Sequence, residues 1–210
     1  MIVTRIEPLA KTRYKVYING EFCFVLYKGE LSRFGIRVDE EVEEQTVEKI
    51  LSEVILKRAK LRCLRLLEDM DRTEAALRDK LKQGYYPQDI IDQAVAYVKS
   101  FGYLDDGRYA ENFVRSRLGT KSRREIEAAL RQKGVRGDLI DRALEECYQE
   151  SGEEEAILRI IKKKKFRFQD ADDTEKQKMY AYLARKGFRY DAVRQVIQNC
   201  DDDLSFRELQ

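Results

Sequence analysis

The sequence predicts a mainly α-helical protein, a tandem array of three three-helix repeats resembling helix-turn-helix units, preceded by a small N-terminal antiparallel β-sheet or hairpin. The main observation is a threefold repeat of a leucine and, eight positions later, an aspartate followed by an apolar stripe. The three pairs are Leu81 with Asp89, Leu130 with Asp138, and Leu183 with Asp191. Successive leucines are 49 and 53 residues apart. A period near this length indicates helical units that bury their apolar faces against their neighbours.

The N-terminal segment is predicted to form β-structure. Residues 13–18 and 21–26 are strand-like runs, and Asn19-Gly20 lies between them. An Asn-Gly pair in this context favours a type I′ turn, because both of its central positions need a positive φ. Residues 2–6 can supply a third strand. This sheet is expected either to dock on the helices or to offer an edge strand to a partner.

The first long helix is predicted from about Glu43 onward, because residues 39–48 hold six acids and no base, a composition suited to a helix N-terminus. In repeat two, helices are expected over 108–118, from the capping box of Ser122 to near Gly134, and from Asp138 as N-cap. The equivalent starts of the second helix are Asp71 or Thr73 in repeat one and Asp173 or Thr174 in repeat three.

These patterns predict five segments along the chain. They are an N-terminal extension at 1–42, repeats at 43–104, 105–150 and 151–204, and a tail at 205–210. A glycine-marked turn between the second and third helices is typical of helix-turn-helix units. A packing unit with no groove-reading helix produces the same pattern, and the sequence favours that interpretation.

Composition restricts the chemistry of the protein. The 41 basic and 39 acidic side chains nearly cancel, so the distribution of charge is more informative than the net +2. Histidine is absent, and no phosphate loop or metal-ligand spacing occurs, so we expect no enzyme activity and no metal or cofactor. We expect a cytoplasmic monomer without a membrane segment, whose cysteines are small core residues in a reducing compartment. The cysteines are Cys23, Cys63, Cys147 and Cys200.

Basic side chains cluster at 57–65, 115–136 and 159–167, on or just after the first helix of each repeat. If the repeats stack in one sense, these clusters form a stripe that suits a polyanionic partner. The alternative is that a chain with 38% charged residues has solvated basic runs without a function. The predicted stripe consists of Arg58, Lys60, Arg62, Arg65, Arg115, Arg117, Lys121, Arg123, Arg124, Arg131, Lys133, Lys162, Lys163, Lys164, Lys165 and Arg167.

Two further motifs each have two interpretations. Phe166 and Phe168 interrupt the third basic run, where they either stack on unpaired bases or anchor the loop through apolar contacts. The second interpretation is favoured. Asp105 and Asp106 are adjacent carboxylates at the junction of repeats one and two. We interpret them as helix caps rather than metal ligands, because no other ligand lies at a fixed spacing.

The junction motif resembles the signature of the RecX family of bacterial recombinase regulators. The motif residues are Gly102, Tyr103, Leu104, Asp105 and Asp106, followed by Tyr109 within Arg-Tyr-Ala and then by Arg115-Ser116-Arg117. Residues 72–85 and 126–135 are similar to the family's first and second repeat patterns, and the resemblance covers nearly the whole chain. One departure is that repeat one places Gly84 a residue early and has an extra Tyr86 before Pro87.

The resemblance implies a regulator without enzymatic activity that acts in homologous recombination, DNA repair and the SOS response. It implies binding to the filament that RecA forms on single-stranded DNA, with a block of filament growth or a promotion of disassembly. The signature residues are then structural rather than catalytic. The alternative is a module that binds single- or double-stranded DNA directly and affects RecA by competing for DNA.

Overall fold

The computed structural model of the chain describes residues 1–118, 120–147, 152–168, 170–186 and 188–205. The chain divides into two compact units, Met1–Asp105 and Asp106–Gln210. Within the described residues, no helix combines the length and the apolar character needed to cross a membrane.

The predicted N-terminal sheet is present, with three antiparallel strands in the order β1 (Val3–Ala10), β2 (Arg13–Ile18) and β3 (Glu21–Tyr27). Strand β1 extends four residues beyond the predicted segment. Asn19 and Gly20 have φ values of 49° and 86°, so the predicted type I′ turn is confirmed.

The sheet packs on the first helical repeat. Val16, Phe24 and Leu26 belong to the same buried cluster as Leu77 and Leu81 of that repeat. One core therefore holds the sheet and repeat one together, which answers the question of docking that the sequence left open.

The helices of the first unit are α1 (Lys28–Arg33), α2 (Glu44–Lys49), α3 (Lys57–Asp69), α4 (Glu74–Gln83) and α5 (Gln88–Ser100). The predicted long helix does start after Glu43, but Ile50–Leu56 between α2 and α3 is π-helical, which the sequence analysis missed. Helix α1 was also missed. Thr73 is the N-cap of α4, because its hydroxyl accepts a hydrogen bond from the Ala76 amide at 3.2 Å.

The helices of the second unit are α6 (Asp106–Arg115), α7 (Arg123–Gln132), α8 (Gly137–Cys147), α9 (Gly152–Lys163), α10 (Asp173–Arg185) and α11 (Tyr190–Ser205). The capping box of Ser122 and Glu125 is confirmed at α7. Two predicted N-caps are wrong by one residue or more. Asp138 lies inside the first turn of α8, and Asp172 rather than Asp173 or Thr174 caps α10.

The second helices of repeats one and two end in the same turn. In each, the amide five residues after a buried leucine donates to that leucine's carbonyl, at 3.3 Å for Leu81 and 3.2 Å for Leu130. This turn requires a left-handed residue four positions after the leucine. Gly134 takes that position in repeat two with φ 79°, but in repeat one it is Tyr85, with φ 63°. Gly84, which lies one residue before that position, has an ordinary φ of −80°.

The cysteines only partly follow the core prediction. Cys63 is completely buried, and burial raises the pKa of its thiol to about 11. Cys23 and Cys147 are half-buried, and the side chain of Cys200 lies outside the described residues.

Candidate functional site

A cavity of about 660 Å³ lies in the first unit, where strands β2 and β3 face helix α3 and the C-terminal end of α4. Its lining includes the basic residues Arg13, Arg58, Arg62, Arg65 and Lys80 and the aromatic residues Tyr27, Tyr85 and Tyr86. Among the described residues that line it, none is acidic. We call this lining the basic cavity.

Helix α3 supplies three of the arginines because of their spacing. Arg58, Arg62 and Arg65 are four and three residues apart, so they share one face of the helix. Lys57 and Lys60 belong to the same basic run but do not line the cavity, and the Lys60 ammonium lies 4.4 Å from the centre of the Tyr97 ring. The predicted cluster at 57–65 therefore splits between two faces.

The sheet supplies the opposite wall through cross-strand pairs. Arg13 pairs with Tyr27, and Lys15 pairs with Val25. Residues directly opposite one another in antiparallel strands project to the same side of the sheet, so both pairs face the basic cavity or its rim. Arg13 was not among the predicted basic residues. Its spacing of two residues from Lys15 in a predicted strand, which places both on one side of the sheet, was a signal that could have identified it.

Tyr85 enters the cavity lining because of its left-handed backbone. The ring is 40% exposed, with the Lys15 ammonium 4.3 Å from its centre and the Phe22 ring centre 6.5 Å away. A non-glycine residue in this conformation is unfavourable and is typically retained where the surroundings or the function require it.

The five bases of the cavity differ in their partners. Arg58 forms an ion pair with Glu30 at 2.5 Å, donates to the Val25 carbonyl at 3.1 Å, and lies 4.6 Å from the centre of the Tyr27 ring. The side chains of Arg62 and Arg65, both exposed, form no ion pair or hydrogen bond with any described residue. Their charge is therefore not neutralised by carboxylates of the structure.

Tyr86 lies at the floor of the cavity and reports on its electrostatics. Burial raises the pKa of the Tyr86 hydroxyl above its ordinary value, while the nearby guanidinium groups of Arg58, Arg13 and Arg62 act in the opposite direction. The phenol thus stays neutral at physiological pH, and the positive charges converge on one point.

In the second unit, three of the predicted basic residues are paired with carboxylates one helical turn away. The pairs are Arg115 with Glu111 at 3.4 Å, Lys121 with Glu125 at 3.5 Å, and Arg131 with Glu127 at 2.9 Å. Arg123 and Arg124, in the first turn of α7, form no ion pair with a described residue. Arg117 and Lys133 lie 3.6 Å and 5.7 Å from the centre of the Phe113 ring.

The third predicted cluster is exposed, at the end of α9. The Lys164 ammonium lies 4.2 Å from the centre of the Tyr182 ring, and Arg167 contacts Asp170 at 3.8 Å. Lys162, Lys163 and Lys165 are exposed as well. Phe168 is 5% exposed and its ring centre is 4.7 Å from that of Phe166, so these rings anchor the loop, as the sequence favoured.

The signature residues at the junction lie at a helix end and a helix start. Gly102 has φ 69° just after α5, Leu104 is 4% exposed, and α6 begins at Asp106. Tyr103 is 54% exposed. Tyr109 stacks on Phe113. In the part of the chain that the structure describes, no group of three cysteine, aspartate or glutamate residues is arranged to hold a metal ion.

Comparison with protein families then identifies the helical repeats. Models described as the first, second and third three-helix domains of RecX match residues 59–97, 105–144 and 152–197. The chain belongs to the RecX family. It is 31% identical to the "Regulatory protein RecX" of Caldanaerobacter subterraneus, over 94% of this chain and 98% of the relative. It is 28% identical to the protein of the same name from Clostridium botulinum, over 92% of both chains.

Solved RecX structures share the fold. A "Crystal structure of regulatory protein RecX" matches with a TM-score of 0.61 and 25% identity, over 93% of this chain and 98% of that one. The structure of RecX from Lactobacillus salivarius matches with a TM-score of 0.62 and 25% identity, over 70% of this chain and 97% of that one. The mainly helical fold with three RecX domains and an N-terminal sheet is thereby established.

Proposed function

We propose that this protein binds the filament of RecA on single-stranded DNA and inhibits the recombinase, ATPase and co-protease activities of RecA. Inhibition would follow from blocked filament extension or from promoted disassembly. The observation that carries the proposal is the match of all three RecX domains, together with relatives named as regulatory proteins along nearly their full length.

The distribution of charge supports a partner with many repeated contact points. Exposed basic side chains occur in each of the three RecX domains, including Arg62, Arg124 and Lys163. Several weak contacts on one chain combine into high avidity when the partner repeats, as subunits and phosphates of a nucleoprotein filament do. A stripe that continues through all three repeats is part of this proposal.

DNA-dependent ATP hydrolysis by RecA tests the proposal. The protein is titrated well below the RecA concentration on single-stranded DNA, and we expect a strong fall in ATP hydrolysis. A fall at substoichiometric amounts means that the protein acts on filament growth or integrity. If hydrolysis falls only when the DNA itself is saturated with the protein, the filament proposal is wrong.

Charge reversal locates the contact. The double variant Arg123→Glu with Arg124→Glu should weaken inhibition, because both side chains are available to a polyanion. Lys49→Glu is the matched control, since Lys49 is exposed and lies outside the three basic clusters. Equal inhibition by wild type and the double variant would remove these two positions from the stripe.

A second candidate function is direct binding of DNA in competition with RecA, and the basic cavity favours it. Salt separates the two functions. Binding dominated by phosphates weakens steeply between about 50 and 200 mM salt, whereas inhibition through protein contacts on the filament should persist over that range.

A further inference from the structure

The basic cavity has an excess of positive charge that the fold itself does not use. Five bases line a cavity of about 660 Å³ with no acid in its lining, and among the described residues only Arg58 of the five has a carboxylate partner, Glu30. Like charges repel, so gathering Arg62, Arg65 and Arg13 around one concavity has an electrostatic cost that a bound anion would offset. Arginine binds phosphate oxygens with two parallel hydrogen bonds, which makes phosphate the matching anion.

Exposed aromatic rings border these charges. Tyr27 and Tyr85 are 41% and 40% exposed, and each already has a cation over its ring, Arg58 at 4.6 Å and Lys15 at 4.3 Å. Rings and cations alternate in the same way along grooves that take single-stranded nucleic acid, where bases stack on the aromatic faces. The left-handed backbone of Tyr85, at the position where repeat two has a glycine, presents this ring at an energetic cost.

The combination selects one class of ligand. A duplex keeps its bases stacked on each other and cannot offer a base face to a tyrosine, whereas a single strand can. An acidic peptide would satisfy the arginines but has no flat base for the rings. A cavity of a few hundred Å³ also suits one or two chain units rather than a helix.

We infer that the basic cavity binds single-stranded DNA, with a phosphate on Arg62 and Arg65 and the adjoining unpaired base on Tyr85. This site lies on the N-terminal sheet and repeat one alone. It rests on the second candidate function, direct DNA binding, and does not depend on the proposed binding to the RecA filament. It gives the sheet a function, because Arg13, Lys15 and Tyr27 belong to its strands.

Fluorescence anisotropy of a labelled oligothymidylate, titrated with the full chain and without RecA, tests the inference. The double variant Arg62→Ala with Arg65→Ala should bind at least tenfold more weakly. The plot of log association constant against log salt concentration should also become less steep by about 1.4, the value for two lost phosphate contacts to single-stranded DNA. Lys49→Ala is the control, because Lys49 is exposed and does not line the cavity, and its affinity should stay within about twofold of wild type.

Tyr85→Gly tests the base contact with a residue that the turn accepts. We expect a loss of about 5-fold or more on oligothymidylate, in line with the cost of removing one base–aromatic stack. On an abasic oligonucleotide of equal length, the same variant should bind like wild type. Thermal unfolding of each variant verifies that it is folded before its affinity is compared.

Three results would overturn the inference. The first is an arginine double variant whose affinity and salt slope equal those of wild type. The second is a loss of affinity for Tyr85→Gly that is equal on abasic and intact strands. The third is an arginine double variant that loses binding of polyglutamate but keeps binding of DNA. The last result would assign the cavity to an acidic peptide. Running the RecA assay with the arginine double variant keeps the two proposals separate. Weak DNA binding with full inhibition of RecA leaves the cavity assignment intact and shows that inhibition uses other surfaces.

Discussion

Repeats one and two are built on the same pattern but use it differently. Leu81 and Leu130 are both completely buried, and both receive the amide hydrogen bond that closes the helix. At the left-handed position, four residues after the leucine, repeat one has Tyr85, which lines a cavity without acidic residues in its lining. Repeat two has Gly134 there, and the adjoining helix α7 pairs Arg131 with Glu127.

The difference shows which parts of a repeat are fixed by packing and which are available for function. The buried leucine and the hydrogen-bonded turn recur because each repeat needs them to close its core. The residue at the left-handed position is exposed, and it differs between the two repeats. The partners of the basic side chains differ as well. Charge counted along the sequence is therefore a poor measure of charge available to a ligand, because some bases, such as Arg131, pair with a carboxylate one helical turn away, whereas others, such as Arg62 and Arg124, pair with no carboxylate of the described residues.

The largest expected effect tests the shared part of the comparison. Leu81→Ala and Leu130→Ala should each lower the free energy of unfolding by about 2–5 kcal/mol, since each leaves a cavity in a closed core. Urea denaturation followed by circular dichroism measures both. Below the unfolding transition, Leu81→Ala should also weaken single-stranded DNA binding, because the buried Leu81 side chain anchors the end of α4, which the turn with Tyr85 follows.

Leu61→Ala is the control for these core changes. Leu61 is 49% exposed, so its truncation should change the free energy of unfolding by about 0.5 kcal/mol or less. A cost below about 1 kcal/mol for either core leucine would mean that the two repeats do not share the same packing.

A smaller effect, opposite in sign between the repeats, tests the turn. Gly134→Ala should destabilise the protein by about 1–2 kcal/mol, because alanine is strained at φ 79°. Tyr85→Gly should stabilise it by about 0.5 kcal/mol, since relief of the same strain exceeds the loss of exposed ring contacts. Gly137→Ala serves as control, because its added methyl group meets no atom within 4 Å in the first turn of α8. Destabilisation by Tyr85→Gly would show that the ring is retained for packing rather than for binding.

The sequence predicted the elements whose signals are local. The Asn19-Gly20 turn and the capping box of Ser122 were located correctly, because each depends on a few adjacent residues. The π-helical segment at Ile50–Leu56 was not predicted, because the apolar pattern of a continuous helix does not distinguish a π-helical stretch from an α-helical one. The left-handed position of Tyr85 was not predicted, because a glycine near a helix end does not have to occupy that position and Gly84 does not.

The candidate site was predicted only in part, for a physical reason. Arg62 and Arg65 were identified from the basic run, but Arg13 and Tyr85 were not. They come from a strand and from a turn that are distant in sequence, and the shared core of sheet and repeat one brings them together. The lysines of α9 remain a sequence prediction, with their exposure described but their role untested.

The smallest expected effect concerns pH and compares one carboxylate of each repeat. Burial alone would raise the pKa of Glu74, but hydrogen bonds from Lys99 and Arg78 outweigh it and place the pKa below its ordinary value. The ionised form is therefore favoured in the folded protein. Its stabilisation is fully present above the ordinary glutamate pKa of about 4.3 and is lost as the pH falls through the lower pKa of the folded state.

Glu74→Gln should accordingly lower the free energy of unfolding by about 1 kcal/mol at pH 7 and by much less at pH 3. Glu125 also has a lowered pKa, because the Ser122 amide and the charges of Lys121 and Lys186 outweigh its burial. Glu125→Gln should nevertheless cost less at pH 7, about 0.5 kcal/mol, since glutamine also completes a capping box. Urea denaturation of both variants at the two pH values measures the difference. If the cost of Glu74→Gln is the same at pH 3 and pH 7, its ion pairs with Lys99 and Arg78 do not stabilise repeat one, and the packing of the glutamate side chain does.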